Sequence, residues 1–308
     1  MKYPKIYDVN NQTHLSFDPS FSDKESSPFR HHLQSFKKLQ RISVLILSMF
    51  VLYSCSTVPI TGRKRVNVVS DSEILPASFA QYEGFLKENK ISANKKMSDE
   101  VKSVGLRISG AVDRFMRANG MTKEADSYRW EFNLIEDKTV NAWCMPGGKV
   151  VFYTGILPIC ENTDGIGAVM GHEVAHAFAK HGQERMTSAY GQQIGGMAVA
   201  LGSSGQDEKT QLIWNTIYGV GSQVGMLAYS RTHETEADKL GMVFMIMAGY
   251  NPEEAINVWV RMSQQAGATS QPEFLSTHPS NETRIADLKA YLPTAIDLAK
   301  KYNVVTAM

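Results

Sequence analysis

Two histidines four residues apart, with a glutamate beside the first, offer the clearest chemistry in the chain: Gly171-His172-Glu173-Val174-Ala175-His176. On an α-helix, positions i and i+4 share a face, so both imidazoles can reach one Zn²⁺. Glu173 is then placed to take a proton from a water activated by that metal. The bland alternative is a solvated helix face that happens to carry two histidines. The flanks speak against it. Asn162 or Asp164 can cap the helix start, Ile166 to Met170 is apolar, and Ala175, Ala177, Phe178 and Ala179 continue the run until Gly182 offers a stop. Burying two imidazoles among alanines without a partner would cost free energy that coordination offsets. His181, near the expected helix end, reads as a partner of the C-terminal dipole rather than a ligand.

A catalytic zinc site needs a third protein ligand and an open position. The segment Ser230 to Gly241 supplies candidates. Glu234 and Asp238 lie four apart on one helical face. Glu234 would complete a His, His, Glu set, and Asp238 would hold the far nitrogen of a ligand histidine and so fix its tautomer. Glu236 points about 160° away from that face and reads as a solvated carboxylate. His233 competes on chemistry alone and ranks below Glu234. Taken by itself, the segment reads equally well as a charged surface helix.

The two segments together resemble the HtpX-type metallopeptidases related to the CAAX prenyl protease, gluzincins in which a glutamate is the third zinc ligand. Two more stretches match: Asn141 to Gly155, similar to the strand before the active-site helix, and Ser276-Thr277-His278-Pro279-Ser280 with Arg284, similar to the block after the third ligand. Order and spacing agree over residues 75–292, most closely with the soluble lipoprotein branch. The resemblance implies one zinc per chain on His172, His176 and Glu234, with Glu173 as general base and later proton donor. It also implies that His278 stabilises the tetrahedral oxyanion and that Arg284 orders its loop. His278 otherwise reads as a turn histidine before proline. Amide hydrolysis of this kind needs a Lewis acid, a base and a counter-charge for the oxyanion. The strand Lys149 to Thr154 is expected to be a sheet edge on which an extended substrate lies, with Asn141, Val150 and Phe152 as substrate-binding residues; an ordinary edge strand fits the same residues.

The N-terminal region suggests a location. Ile42 to Tyr53 is a short apolar run behind Lys37, Lys38 and Arg41, too short for the about 20 residues of a membrane span and suited to a signal peptide. Leu52-Tyr53-Ser54-Cys55 approximates a bacterial lipobox, with bulky Tyr53 weakening the match. The expectation is therefore a signal segment at 1–54, a tether at 55–74 lipidated on Cys55, and a peptidase domain at 75–308. That implies a bacterial envelope protein anchored by lipid and facing the periplasm, on the outer membrane if Ser56 follows the common sorting rule. An uncleaved signal anchor is the competing reading.

A net charge of +1 gives no reason to expect nucleic acid, and nothing in the sequence marks an oligomeric state. Cys144 and Cys160 are expected as separate packed thiols, a bridge between them being the alternative. Helical spacing covers 76–90 and 97–118, alternation marks strands at 130–135 and 150–153, and further helices are expected at 252–266 and 281–301. Residues 187–229 read as two small-residue helices packed on the zinc helix, or as a cover over the cleft. The fold class is α+β, a mostly helical zincin-like domain with a small sheet whose edge borders the active-site helix. The expected function is a zinc endopeptidase acting on unfolded or misassembled envelope proteins. The alternative is a metal-binding assembly factor with weak or latent proteolysis, which has no use for Glu173.

Overall fold

Alternation and helical periodicity build a three-stranded sheet clasped between helices. The computed structural model describes residues 55–189, 230–266 and 282–306, together with Phe274, Leu275, His278, Lys38 and Arg41. The apolar run Ile42–Tyr53 and the expected small-residue helices beyond residue 189 lie outside the described residues.

In chain order the elements are β1 (Cys55–Thr57), β2 (Lys64–Val66), α1 (Asp71–Glu88), α2 (Lys95–Ala118), α3 (Thr122–Ser127), β3 (Glu131–Ile135), β4 (Ala142–Met145), β5 (Lys149–Tyr153), α4 (Leu157–Cys160) and α5 (Thr163–Phe178). After them come α6 (181–189), α7 (Arg231–Met247), α8 (Glu253–Ala266) and α9 (Glu282–Thr306). Among the described residues no helix is long and apolar enough to cross a membrane. Cys144 and Cys160 are both buried, unbridged thiols, as expected.

The sheet order is β3-β5-β4, with β3 parallel and β4 antiparallel to β5. This corrects one expectation. Val150 and Phe152 lie on the central strand, fully buried, with neighbours along both edges. The edge strand that packs against α5 is β4. The tight link Pro146-Gly147-Gly148 makes the β4–β5 hairpin possible, because both glycines take positive φ (81° and 85°). Ala142, Cys144, Val150 and Phe152 face the main core with α2 and α5, while Trp143, Met145 and Val151 face Tyr82 and Phe85 of α1.

Helix α5 is buried from Gly165 onward and begins where Asn162 caps the Gly165 N–H at 2.8 Å. It ends at Phe178, earlier than Gly182, because Lys180 turns the chain at φ 59°. Two of the carbonyls left over, those of Phe178 and Ala179, accept from the Arg65 guanidinium at 3.5 and 2.6 Å. Helix α7 crosses α5 at Gly171 and Gly241. A Cβ on Gly241 would stand 2.8 Å from the Gly171 carbonyl carbon and from the His172 nitrogen. That close approach sets how near α5 and α7 come.

Residues 55–70 are not a free tether here. β1 pairs antiparallel with β2, Val58 is fully buried in the main core, and strand alternation turns Arg63 and Arg65 inward while Lys64 faces solvent. Cys55, expected to carry lipid, begins that hairpin, its backbone paired opposite Val66.

Candidate metal centre

His172 and His176, one turn apart on α5, meet Glu234 from the first turn of α7, where Ser230 caps the helix by accepting the His233 N–H. The Nε2 atoms of the two histidines are 3.0 Å apart. Glu234 Oε2 lies 3.5 Å from His172 Nε2, and Oε1 lies 3.4 Å from His176 Nε2. Metal–ligand bonds of about 2.0–2.1 Å at tetrahedral angles give ligand–ligand edges of about 3.3 Å, so this triangle fits zinc. His278 Nδ1 joins the group at 3.2 Å from His172 Nε2 and 3.0 Å from Glu234 Oε1. The four residues are all buried and form one cluster able to hold a metal ion.

To hold a metal, each histidine must turn a lone pair inward, and partners behind the rings decide this. Asp238 Oδ1 lies 3.0 Å from His172 Nδ1, so that nitrogen carries the proton and Nε2 is left for a metal. Arg284 grips Asp238 through Nε (2.5 Å) and Nη2 (2.8 Å), sends Nη1 to Glu234 at 2.8 Å, and lies 3.5 Å over the Trp259 ring. Burial works against ionising these groups. Even so, Arg284 and the histidines keep Asp238 below the usual carboxylate range, and hold Glu234 well below it. Burial also opposes the charge on His172, yet Asp238 and Glu234 raise its pKa to about 9.

Glu173 is 1% exposed, and its Oε1 makes no hydrogen bond; His278 Nε2 stands 3.5 Å away. Burial, with the Glu234 charge adding to it, raises this carboxyl above its ordinary range, against the pull of His278 and His172. Asn141, also buried, caps the start of β4: its Oδ1 accepts the Ala142 N–H at 2.8 Å and its carbonyl accepts the Tyr153 N–H at 3.1 Å. One residue earlier, the Val140 carbonyl accepts the Phe274 N–H at 3.0 Å, which draws the segment leading to His278 against this edge.

Behind His176 the structure differs from expectation. Glu236 is buried rather than solvated, and His181 is fully buried. His181 Nδ1 lies 2.9 Å from His176 Nδ1, and its Nε2 lies 2.9 Å from Glu236 Oε2. Glu236 also accepts from Arg63 Nε at 2.5 Å and from the Thr61 hydroxyl. Burial pushes His181 down to about 4; the Glu236 carboxyl, which burial would raise, is held low by His181, Thr61 and Arg63. Helical period missed these partners because the β1–β2 hairpin covers the second face of α7, and because His181 begins a new helix after the Lys180 turn. The one sequence signal was the alternation Arg63-Lys64-Arg65, which fits a strand as well as a tether.

Residues 105–292 match the model of peptidase family M48. The chain belongs to that family. M48 is a metallopeptidase family whose metal is zinc, and the donor set fits that metal. Among relatives, the mitochondrial metalloendopeptidase OMA1 of Schizosaccharomyces pombe is 35% identical over 242 residues, 77% of this chain and 66% of that one. The human mitochondrial metalloendopeptidase OMA1 is 23% identical over 265 residues, 84% of this chain and 50% of that one. The β-barrel assembly-enhancing protease of Escherichia coli is 26% identical over 166 residues, 52% of this chain and 34% of that one. This M48 chain thus spans between a third and two thirds of the length of these three. The mitochondrial relatives overturn the expected placing in the bacterial envelope as a periplasm-facing outer-membrane lipoprotein. The lipid anchor on Cys55, from which that placing was inferred, finds no support in these relatives.

Proposed function

We propose that the chain is a zinc endopeptidase that cleaves extended, locally unfolded protein segments, with His172, His176 and Glu234 as the metal ligands and Glu173 as general base and proton donor. The observation that carries this reading is Glu173 itself: a buried carboxyl beside a converging His, His, Glu donor set, with His278 Nε2 at 3.5 Å from its Oε1. A purely structural metal site has no use for a base beside its donors. Zinc, when bound, supplies a Lewis acid that acidifies water and polarises the scissile carbonyl.

The chain's own residues do the rest. Glu173, with its raised affinity for a proton, takes one from the attacking water on Oε1 and delivers it to the departing amine. Asp238 and Arg284 hold His172 in the binding tautomer. His278, beside both Glu173 and the donors, is the group for the oxyanion, and in that role its imidazole yields the ligand-like position it holds here. Substrate pairing falls to β4, which borders α5, with Asn141 setting where the edge begins. An edge strand reads main chain rather than sequence, so folded proteins are poor substrates.

The test is a comparison of casein with tightly folded proteins as substrates for the zinc-loaded chain. Internal cleavage of casein, with the folded proteins untouched, is expected. Cleavage of one folded protein and none of casein would overturn the reading.

A further inference from the structure

We infer that Arg63, Glu236 and His181 are positioning residues for the metal, and that the β1–β2 hairpin is thereby part of the metal centre. This rests on the proposal that His176 is a zinc ligand.

With zinc held by His176 Nε2, the hydrogen bonds behind that ring fall into one arrangement. Glu236 is acceptor-only when ionised, and it already receives Arg63 and Thr61, so His181 must present Nε2–H to it. A neutral His181 then has a lone pair on Nδ1. The nitrogen facing it at 2.9 Å, His176 Nδ1, must carry a hydrogen, and His176 Nε2 is left as a lone pair aimed at His172 Nε2 and Glu234. Reversing any one proton would put a hydrogen on Nε2 and close the ligand. His172 needs one carboxylate behind it; His176 reaches its carboxylate through a second imidazole. Arg63 locks the far end by a two-nitrogen pair to Glu184 (Nη1 2.8 Å, Nη2 2.5 Å) and its Nε bond to Glu236. A hairpin remote in sequence from both ligand helices therefore fixes a ligand's tautomer.

A second metal site in the same cluster, on His181, Glu184 and His233, is a poorer account. The His181 and His233 rings stack at 4.4 Å and 24°, so their in-plane lone pairs run side by side instead of converging, and Glu184 is already committed to Arg63.

The test is zinc affinity of the full chain by chelator competition, with folding checked by circular dichroism. Outer-shell partners of this kind are worth about 10–100-fold in metal affinity, and Arg63→Ala and Glu236→Ala are expected to lose that much. The pair His181→Asn and His181→Phe separates relay from packing. The Asn amide oxygen can still accept the His176 Nδ1–H, so this variant should bind zinc about tenfold more tightly than the Phe variant. The d–d spectrum of Co²⁺ in the site should shift in His181→Phe and stay close to the parent in His181→Asn. Equal affinities and equal spectra for the two His181 variants, or parental affinity in folded Glu236→Ala, would overturn the relay. A parent that binds no zinc would instead overturn the ligand assignment beneath it.

Discussion

Replacing Gly241 with alanine should weaken the protein and its metal together. Gly→Ala in a helix interior ordinarily stabilises by about 0.8–1 kcal/mol. At Gly241 the added methyl would stand 2.8 Å from the Gly171 carbonyl carbon and the His172 nitrogen, both backbone atoms that no rotamer change can move. Ordinary contact is about 3.5–4.0 Å, so α5 and α7 must part by about 0.7–1.2 Å. Because both atoms are backbone, overpacking here falls at the upper end of the usual range, about 2–3 kcal/mol, leaving a net loss of about 1–2 kcal/mol after the propensity gain. If the metal-free protein relaxes by separating the helices, the His172–Glu234 approach of 3.5 Å opens with them. Zinc must then draw the helices back, and the same energy reappears as a roughly 5- to 30-fold weaker affinity. Urea unfolding and chelator competition measure the two halves. Gly110→Ala is the control: its Cβ would meet only the end of the Arg114 side chain, at 3.5 Å, and should be neutral or stabilising. A Gly241→Ala protein as stable as the parent, with parental zinc affinity, would refute the idea that this crossing sets the ligand spacing.

Arg284→Lys should lower zinc affinity about 10–100-fold, since lysine cannot grip both Asp238 oxygens or stack on Trp259; equilibrium dialysis reads the change. His278→Phe should leave zinc bound but slow turnover about 10²–10³-fold, the worth of one oxyanion donor; a faster enzyme would instead mark His278 as a ligand that blocks the open position. Acid should loosen the hairpin. Burial opposes the charge on Glu184, but Arg63 and His233 lower its pKa from 4.5 to about 2. A depressed carboxylate pKa contributes stability that is present above the unfolded value and lost as pH falls through the folded one. Glu184 should therefore contribute about 1–2 kcal/mol to the loss of stability between about pH 4.5 and 2, once solvent screening of this part-exposed pair is allowed for, and the loss should be smaller by that amount in Glu184→Gln.

The donor cluster was legible because a helix converts a spacing of four into a shared face, and the pairs His172/His176 and Glu234/Asp238 both obey it. The strand at 150–153 was legible from composition, but its place in the sheet was not. Whether β5 is an edge depends on β3 pairing parallel to it, a long-range choice that local alternation does not carry. Glu236 shows the opposite failure. Its angle from Glu234 was read correctly, and solvent was the natural inference until the hairpin at 55–66 closed over that face. His181 escaped because a left-handed turn at a lysine, not at Gly182, redirects the chain. The location failed for a different reason: it rested on a short apolar run and one cysteine in the N-terminal region, apart in sequence from the motifs that carry the family.

The central claim is that one zinc on the His172, His176, Glu234 centre and the Glu173 carboxylate together hydrolyse peptide bonds. Its most direct test is casein cleavage by the purified chain beside its Glu173→Gln variant, with zinc content measured on both. One zinc in each protein, cleavage by the parent and none by the variant is the result this account predicts. Equal zinc with equal cleavage, or zinc-loaded protein that cleaves nothing in either form, would contradict it.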